Sequence, residues 1–254
     1  MGRVTESRRV GLARALSKLG FCSRSQAAKL IREGRAMLNG ATRRDPETPV
    51  LLRRDRIEVN GNAVTAESRI YLMLNKPRGV ITTASDEKGR STVYSLLDGK
   101  LPWVGPVGRL DQASEGLLLL TNDSEWAARI TDPGFHLEKT YHVQVAAPAG
   151  EIPAEKLMRG VKSGGEVLRA RQVRVLRGGE KNTWLEVVLD EGKNRQIRRM
   201  FEGMGLEVLR LIRVAIGPLN LGQLGKGKSR ALAGTEKAAL DQAVRMAAEK
   251  PHIC

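Results

Sequence analysis

The sequence has few cysteines and no long apolar run. Its 254 residues include only Cys22 and Cys254, which cannot build a disulfide framework and are typical of a reducing compartment. No stretch approaches the roughly 20 apolar residues of a transmembrane helix, and no apolar run follows the basic N-terminus as in a secretory signal. We therefore expect a cytoplasmic protein that is not inserted in a membrane.

The residues that most metal and cofactor sites require are also scarce. The histidines are His136, His142 and His252, and neither cysteine has a partner at zinc-ligand spacing. The sequence has no phosphate-binding loop of the Walker type, no dinucleotide fingerprint and no Gly-x-Ser-x-Gly elbow. We expect no metal and no cofactor, so an enzyme with this sequence would depend on its side chains alone.

Positive charge is what the sequence has in excess. Lys and Arg number 43 against 28 Asp and Glu, a net charge of +15 with an isoelectric point near 10.3. Residues 1–60 hold 14 of the basic and 6 of the acidic residues, and therefore +8 of this total. Such a surface is either merely solvated or binds an anionic partner. No basic amphipathic helix with large apolar anchors suggests a membrane surface, so the pattern favours nucleic acid.

The first 60 residues predict a small unit of helices and short strands. Apolar residues at helical spacing over 10–19 predict a first helix. Ser23 and Gln26 have the spacing of a capping box, which predicts a second helix that ends at Gly34. Strands over 36–38 and 56–59, each followed by an Asn-Gly turn, complete the unit.

Beyond residue 70 the apolar pattern becomes that of a sheet protein. Strands are predicted over 70–74, 117–120, 140–145, 183–189 and 206–216, and helices after 122, over 194–204 and over 235–249. Strands and helices do not alternate strictly, so the expected fold class is α+β. We expect a domain boundary within 60–70, which gives domains at 1–65 and 66–240 and a helical tail at 241–254.

One segment presents a carboxylate on a rigid support. Residues 105–116 read Gly-Pro-Val-Gly-Arg-Leu-Asp-Gln-Ala-Ser-Glu-Gly and precede four leucines. The glycines and the proline predict a constrained turn, and the leucines predict a buried strand that anchors it, so Asp111 would be held in a fixed position. From these features alone, Asp111 is either a nucleophile or an ordinary cap of the turn's backbone.

A second segment, 191–204, combines an apolar stripe with a basic face. On a helix, the apolar stripe would consist of Ile197, Met200, Phe201 and Met204. The basic face would consist of Arg195, Arg198 and Arg199. This face is either simply solvated, or it grips phosphates and leaves one guanidinium free to pair with a buried carboxylate.

Five segments together resemble a known family. Residues 108–118 resemble the catalytic motif of pseudouridine synthases, specifically the RsuA/RluB/RluE/RluF group of bacterial ribosomal RNA pseudouridine synthases. Supporting matches are Leu-Asn-Lys-Pro-Arg-Gly at 74–79, Glu-Lys-Thr-Tyr at 138–141 and Gly-Lys-Asn-Arg-Gln-Ile-Arg-Arg-Met at 192–200. Residues 8–60 resemble the RNA-binding domain named after ribosomal protein S-four. The matches occur in the family's order and span nearly the whole chain.

The resemblance implies a fold and a set of catalytic roles. The fold implied is a small N-terminal α/β RNA-binding domain followed by a catalytic domain with a mixed, mainly antiparallel sheet. Asp111 would be the nucleophile, attacking either the uracil ring or the ribose. Tyr141 would stack on the flipped uracil and could act in proton abstraction. Arg198 would pair with Asp111 and favour its charged form.

The resemblance also implies pocket and RNA-binding residues. Lys76 and Pro77 would line the pocket, and Arg109 would approach the RNA backbone or fill the gap left by the flipped base. The other expected RNA-binding residues are Arg24, Lys29, Arg32, Arg35, Lys193, Arg195 and Arg199. With few aromatic residues in the chain, recognition would rest on phosphates and RNA shape more than on stacking.

The expected function is site-specific conversion of uridine to pseudouridine in ribosomal RNA, without a cofactor. The wording of the motifs is closer to the branch that acts on large-subunit 23S RNA, while small-subunit 16S RNA stays open. The rivals are a non-catalytic RNA-binding protein of ribosome assembly and a synthase that acts on transfer RNA. The expected partner is ribosomal RNA, free or in a partly assembled ribosomal particle, and the default oligomeric state is a monomer.

Overall fold

The computed structural model describes residues 9–83 and 89–248, which form two compact units. The first comprises the described residues up to Tyr71 together with 98–105 and 120–125. The second comprises the other described residues. Within the described ranges, no helix is long and apolar enough to cross a membrane. The domain bounds predicted from the sequence stay a prediction.

The N-terminal part of the chain contains two short helices, α1 over Leu12–Lys18 and α2 over Arg24–Arg32. The strands around them are β1 Val10–Gly11, β2 Ala36–Leu38, β3 Ala41–Arg43, β4 Pro49–Val50, β5 Ile57–Val59 and β6 Asn62–Ala63. Strands β3, β2, β5 and β6 form an antiparallel sheet in that order, and β1 pairs with β4. The helices and strands predicted for this region are confirmed, with the first helix shorter than expected.

Local sequence explains where these elements begin and turn. The predicted capping box is present, because the Ser23 hydroxyl accepts from the Gln26 N–H and the Gln26 side chain accepts from the Ser23 N–H. Asn39 and Asn60 both have φ of +52° and each precedes a glycine, as expected for tight Asn-Gly turns. The core of the unit is aliphatic and includes Leu12, Leu16, Ala27, Ile31 and Ile57.

The rest of the chain supplies a large sheet and four further helices within the described residues. Its strands are β7 Tyr71–Lys76, β8 Gly105–Val107, β9 Glu115–Thr121, β10 Lys139–Val145, β11 Val161–Ser163, β12 Glu166–Leu168, β13 Gln172–Gly178, β14 Thr183–Leu189, β15 Val208–Ile216, β16 Leu219–Asn220 and β17 Ser229–Ala231. Its helices are α3 Ser124–Thr131, α4 Ala154–Arg159, α5 Gln196–Glu202 and α6 Gly234–Ala248. Short 3-10 turns occupy Val93–Leu96, Pro133–Phe135 and Ala149–Glu151.

The large sheet is mixed and mainly antiparallel, as expected. Its strand order is β13-β14-β10-β15-β9-β7-β17, with β16 on β15 and β8 on β9. Strand β10 pairs antiparallel with β14 and β15, while β15 and β9 run parallel. The strand predicted over 183–189 coincides with β14, and the helix predicted over 235–249 is α6, whose last predicted residue lies outside the described ranges. The fold class α+β is confirmed.

Helix α5 is shorter than predicted, and this changes where its arginines lie. Arg195 precedes the helix with φ of +48°, so it does not share a helix face with Arg198 and Arg199. Met204 follows the helix. The predicted apolar stripe is confirmed, because Ile197, Met200 and Phe201 are buried in one core cluster with apolar side chains of β10 and β14, and Met204 packs against that cluster. This cluster covers one face of the sheet.

Candidate active site

The loop that carries Asp111 joins β8 to β9 and is fixed by its neighbours. The Ser114 N–H donates to the Asp111 carbonyl oxygen at 3.0 Å, which closes the turn. Every residue of β9 is buried, so the loop ends on a rigid strand. At Gly116 φ is +104°, and a Cβ atom would lie 2.2 Å from the Arg213 carbonyl oxygen. Only glycine therefore allows β9 and β15 to approach this closely.

Lys76 supports the loop from its buried side. It is fully buried, and its ammonium donates to the carbonyl oxygens of Pro77 at 3.1 Å, Asp111 at 3.1 Å and Ser114 at 2.8 Å. An ammonium has three donors, and all three are used here. Burial lowers the pKa of Lys76 to about 8. Because its side chain is fully buried, Lys76 supports the loop and does not line a pocket as expected. The neighbouring Pro77 is partly exposed.

The Asp111 carboxylate itself is one-third exposed and faces cations. Among the described residues its ion pair is with Arg195, whose Nη1 lies 4.0 Å from Oδ2. Arg198 instead donates from Nη2 to the Ala113 carbonyl oxygen at 3.0 Å and from Nη1 to the Val208 carbonyl oxygen at 3.2 Å. Arg198, the predicted partner of Asp111, therefore connects the Asp111 loop to β15. Arg195 is the arginine that faces the carboxylate.

The field around Asp111 is positive. Burial lowers the pKa of Arg198, the nearby charges of Arg195 and Arg78 lower it further, and the charge of Asp111 opposes them. A guanidinium stays charged under such shifts because its ordinary pKa is so high. In the described part of the chain the Asp111 carboxylate accepts no bond from a backbone N–H, so it is not the ordinary turn cap considered above. A positioned, partly exposed carboxylate among cations is suited to nucleophilic attack.

Glu115, at the other end of the same loop, has a different environment. Its side chain is only 4% exposed, and it accepts from Arg210 Nε and Nη2 at 3.1 Å each and from Lys226 Nζ at 2.7 Å. Burial would raise the pKa of Glu115, but the hydrogen bonds and charges of Arg210 and Lys226 outweigh it and hold the pKa below its ordinary value. Sequence reasoning gave Glu115 and Arg210 no role, because nearly a hundred residues separate them.

Tyr141 lies on β10 in a row that crosses three strands. Its register partner on β15 is Arg213, and the partner of Arg213 on β9 is Gly116, five residues after Asp111. Tyr141 is partly buried and packs against the core cluster beside α5. The strand order therefore leaves one strand, β15, between Tyr141 and β9, the strand that begins at the end of the Asp111 loop.

Of three other predicted residues, two have partners away from Asp111, and Arg109 lies in the same loop as Asp111. Arg199 donates to Glu166 at 2.9 Å and so binds the β11–β12 hairpin. Lys193 pairs with Glu191 at 3.3 Å. Arg109 is exposed, and no hydrogen bond or ion pair joins it to the described residues. Within 9–83 and 89–248, no cluster of acidic, His and Cys side chains could hold a metal ion.

The basic residues predicted on the N-terminal unit are all exposed. They are Arg24, Lys29, Arg32 and Arg35. Two of them have loose or local partners: Lys29 lies 4.0 Å from Glu33, and Arg35 Nε donates to the Asn60 side chain at 2.7 Å. The first three lie on α2 and the fourth follows it. The Arg35 guanidinium also pairs with Glu33 at 3.3 Å, so these cations are exposed but not all unpaired.

Comparison with known proteins agrees with this geometry. The model of the RNA pseudouridylate synthase family matches residues 70–203, and that of the S4 domain matches residues 10–57. The first match covers more than half of the chain and contains the Asp111 loop, Lys76, Tyr141 and α5. This protein belongs to the RNA pseudouridylate synthase family and is therefore an RNA-modifying isomerase.

Individual relatives share nearly the whole length. An RNA pseudouridine synthase of Rickettsia prowazekii is 41% identical over 85% of this chain and 91% of its own. The ribosomal large subunit pseudouridine synthase B of Bacillus subtilis is 37% identical over 87% of this chain and 91% of its own. A crystal structure of a pseudouridylate synthase is 31% identical and has a TM-score of 0.65 over 91% of this chain and 99% of that one.

Proposed function

We propose that this protein isomerises a uridine of large-subunit ribosomal RNA to pseudouridine in the cytoplasm, with Asp111 as the nucleophile. The observation that supports Asp111 as the nucleophile is that its side chain is partly exposed beside Arg195, while Lys76 of β7 holds its backbone carbonyl in place. The large-subunit assignment is supported by the similarity to the Bacillus subtilis enzyme that bears that name.

The reaction exchanges one bond to the ribose for another. The C1′–N1 bond breaks, the uracil turns, and a C1′–C5 bond forms; C5 then loses its proton and N1 gains one. Asp111 forms a transient bond either to C1′ or to C6 of the ring and is released at the end. Arg195 and Arg198 keep the carboxylate oriented, and Tyr141 stacks on the flipped base and serves in proton removal.

RNA binding is assigned to the cations on both units. Arg24, Lys29, Arg32 and Arg35 hold phosphates on the N-terminal unit, and Arg109, Lys193 and Arg199 supply further contacts on the second unit. Flipping a paired base costs a few kcal/mol, which these contacts offset. The substrate is either free RNA or a partly assembled ribosomal particle, and the protein acts as a monomer.

Tritium release tests this proposal. Transcripts of both ribosomal RNAs and of transfer RNA, labelled at C5 of uridine, are incubated with the wild type, with Asp111→Asn and with Asp132→Asn as a matched exposed aspartate. We expect release from large-subunit RNA by the wild type and Asp132→Asn only, and mapping then gives the position.

Other outcomes would redirect the proposal. Release from 16S or transfer RNA alone would contradict the large-subunit assignment. Salt-sensitive binding without release from any transcript or partly assembled particle would make this a binding protein of ribosome assembly. Release by Asp111→Asn at the wild-type rate would exclude Asp111 as the nucleophile.

A further inference from the structure

Arg213 and Lys139 lie beside Tyr141, on the face of the large sheet that the core cluster covers. Arg213 of β15 is only 5% exposed, and its Nε donates to the Leu117 carbonyl oxygen at 2.8 Å. Its Nη2 is buried, and it has no hydrogen-bond partner among the residues that the structure describes. A buried charged donor without a partner is costly and rare in folded proteins. The free Nη2 of Arg213 therefore indicates a function beyond packing.

The register shows which surface Arg213 faces. Arg213 is the direct partner of Tyr141, and the next pair on the same face of these strands, Val143 and Leu211, lies in the core cluster. Directly paired residues of antiparallel strands project from the same face of a sheet. On its other side Arg213 neighbours Gly116, which has no side chain. Arg213 thus stands between Tyr141 and the strand that follows the Asp111 loop.

Lys139 is the second member of this cation pair. It lies two residues before Tyr141 on β10, and the uninterrupted register with β14 places both on the same face. Burial lowers the pKa of Lys139, the charge of Arg213 lowers it further, and the charge of Asp190 opposes them. A like charge that lowers the pKa of Lys139 in this way does not stabilise the fold. Residues kept at such a cost are candidates for function.

We propose that Arg213 and Lys139 bind the carbonyl oxygens of the flipped uracil and stabilise the negative charge that the ring gains during isomerisation. This inference rests on the proposed function. Both side chains only donate hydrogen bonds. Uracil offers acceptor oxygens at C2 and C4, whereas cytosine carries an amino group at C4. The cation pair therefore accepts uracil and rejects cytosine.

The same contacts assist either route of attack. When Asp111 attacks C1′, the C1′–N1 bond breaks and its electron pair passes to the ring, where O2 and O4 share the charge. When Asp111 attacks C6, the electron pair of the C5–C6 double bond moves towards C4 and the charge collects on O4. In both cases charge develops on a carbonyl oxygen, and donors fixed in a dry site stabilise such charge strongly.

Binding of paired RNA fragments tests this role. Two fragments that contain the mapped target position, one with uridine and one with cytidine there, compete for protein in the Asp111→Asn background, which prevents turnover. We expect the background to prefer uridine about tenfold, since charged hydrogen bonds discriminate to about this extent. Adding Lys139→Met or Arg213→Lys reduces the preference to about twofold or less. Adding Arg174→Gln, an exposed cation paired with Glu186 on the opposite face, leaves it unchanged.

A ratio of two affinities does not depend on the fraction of protein that is folded, so a destabilised Arg213 variant remains informative. With Asp111 intact, Lys139→Met should release tritium about 100-fold more slowly in single turnovers at saturating enzyme. Preference for uridine retained in both variants, or absent from the Asp111→Asn background, would overturn the role of the cation pair. Wild-type tritium release in the same preparation shows separately whether the proposed function holds.

Discussion

Asp111, in the β8–β9 loop, and Glu115, at the start of β9, lie four residues apart, but their surroundings differ in exposure and in hydrogen bonding. Asp111 is one-third exposed, and its nearest cationic nitrogen, on Arg195, is 4.0 Å away. Glu115 is almost fully buried, and hydrogen bonds from Arg210 and Lys226 occupy both of its oxygens. The first carboxylate keeps its oxygens available, and the second has none to spare.

This difference indicates a chemical role for Asp111 and a structural role for Glu115. A buried carboxylate that is neutralised by two cations holds strands together, and it cannot attack without breaking those bonds. A carboxylate whose backbone is fixed but whose oxygens are free is positioned without being neutralised. In this loop Lys76 supplies the fixing, since it binds the carbonyl oxygen of Asp111 and leaves the side chain alone. The two positions should therefore respond in opposite ways to the same kind of substitution.

The largest effect expected is on activity, at Asp111. Asp111→Asn should slow tritium release on the order of 10⁴-fold, because it removes the proposed nucleophile. The melting temperature should hardly change, because the side chain is partly exposed and has one loose ion pair. Release rates and thermal unfolding of the same preparations check this, and a large loss of stability in Asp111→Asn would break the comparison.

The converse is expected at Glu115. Glu115→Gln should reduce the free energy of unfolding by about 2 kcal/mol, since it leaves Arg210 and Lys226 without their buried partner. Glu166→Gln removes the charge of a carboxylate that pairs with Arg199 and is more exposed than Glu115. It should reduce the free energy of unfolding by less than about 1 kcal/mol. Urea unfolding measures both. Equal losses in the two variants would mean that burial does not distinguish these ion pairs.

Lys76→Met should lower the rate about 100-fold while RNA binding stays nearly constant. The reason is geometric: three carbonyl oxygens lose their common donor, so the loop no longer holds Asp111 in place, and small misplacements are costly. Lys228→Met, at an exposed lysine, serves as the control. Separate measurement of the single-turnover rate and of RNA affinity checks this, and full activity in Lys76→Met would remove the support assigned to the lysine.

Acid should reduce the stability that the Glu115 carboxylate contributes. Because its pKa is lower in the folded protein than its ordinary value of 4.5, the stability it contributes is present above that value. This contribution is lost as the pH falls from about 4.5 through the folded-state pKa. The gap in urea midpoint between wild type and Glu115→Gln should therefore narrow from about pH 6 to about pH 3. A gap that widens in acid would contradict the assigned hydrogen bonds.

The smallest effect is expected at Arg195. Its guanidinium is half exposed and 4.0 Å from Asp111, so Arg195→Gln should lower the rate by only about threefold. Arg198→Gln should have a larger effect, because that side chain also bonds the carbonyl oxygens of Ala113 and Val208. Single-turnover rates of the two variants rank them, and the reverse order would assign the main orienting role to Arg195.

Local sequence was sufficient to predict most helices and strands and the constrained loop that carries Asp111. The capping box at Ser23, the Asn-Gly turns and the alternating strand over 183–189 depend on neighbours within a few residues, and all are present. The constrained loop at Asp111 follows in the same way from its glycines and from the leucines of β9. The matched motifs likewise identified the family, because each is a short continuous stretch.

No local pattern could predict which side chains from distant segments contact one another. That Lys76 lies beneath the loop, that Arg195 rather than Arg198 faces Asp111, and that Arg213 stands beside Tyr141 all depend on strand order. Strands β9 and β15 are parallel neighbours although about a hundred residues separate them, so their register has no signature in either segment. The sequence by itself determined the local conformations and the loop that carries Asp111, because those energies are local. Tertiary structure alone decided the charge partners, because a cation's role depends on the burial and distance that packing imposes.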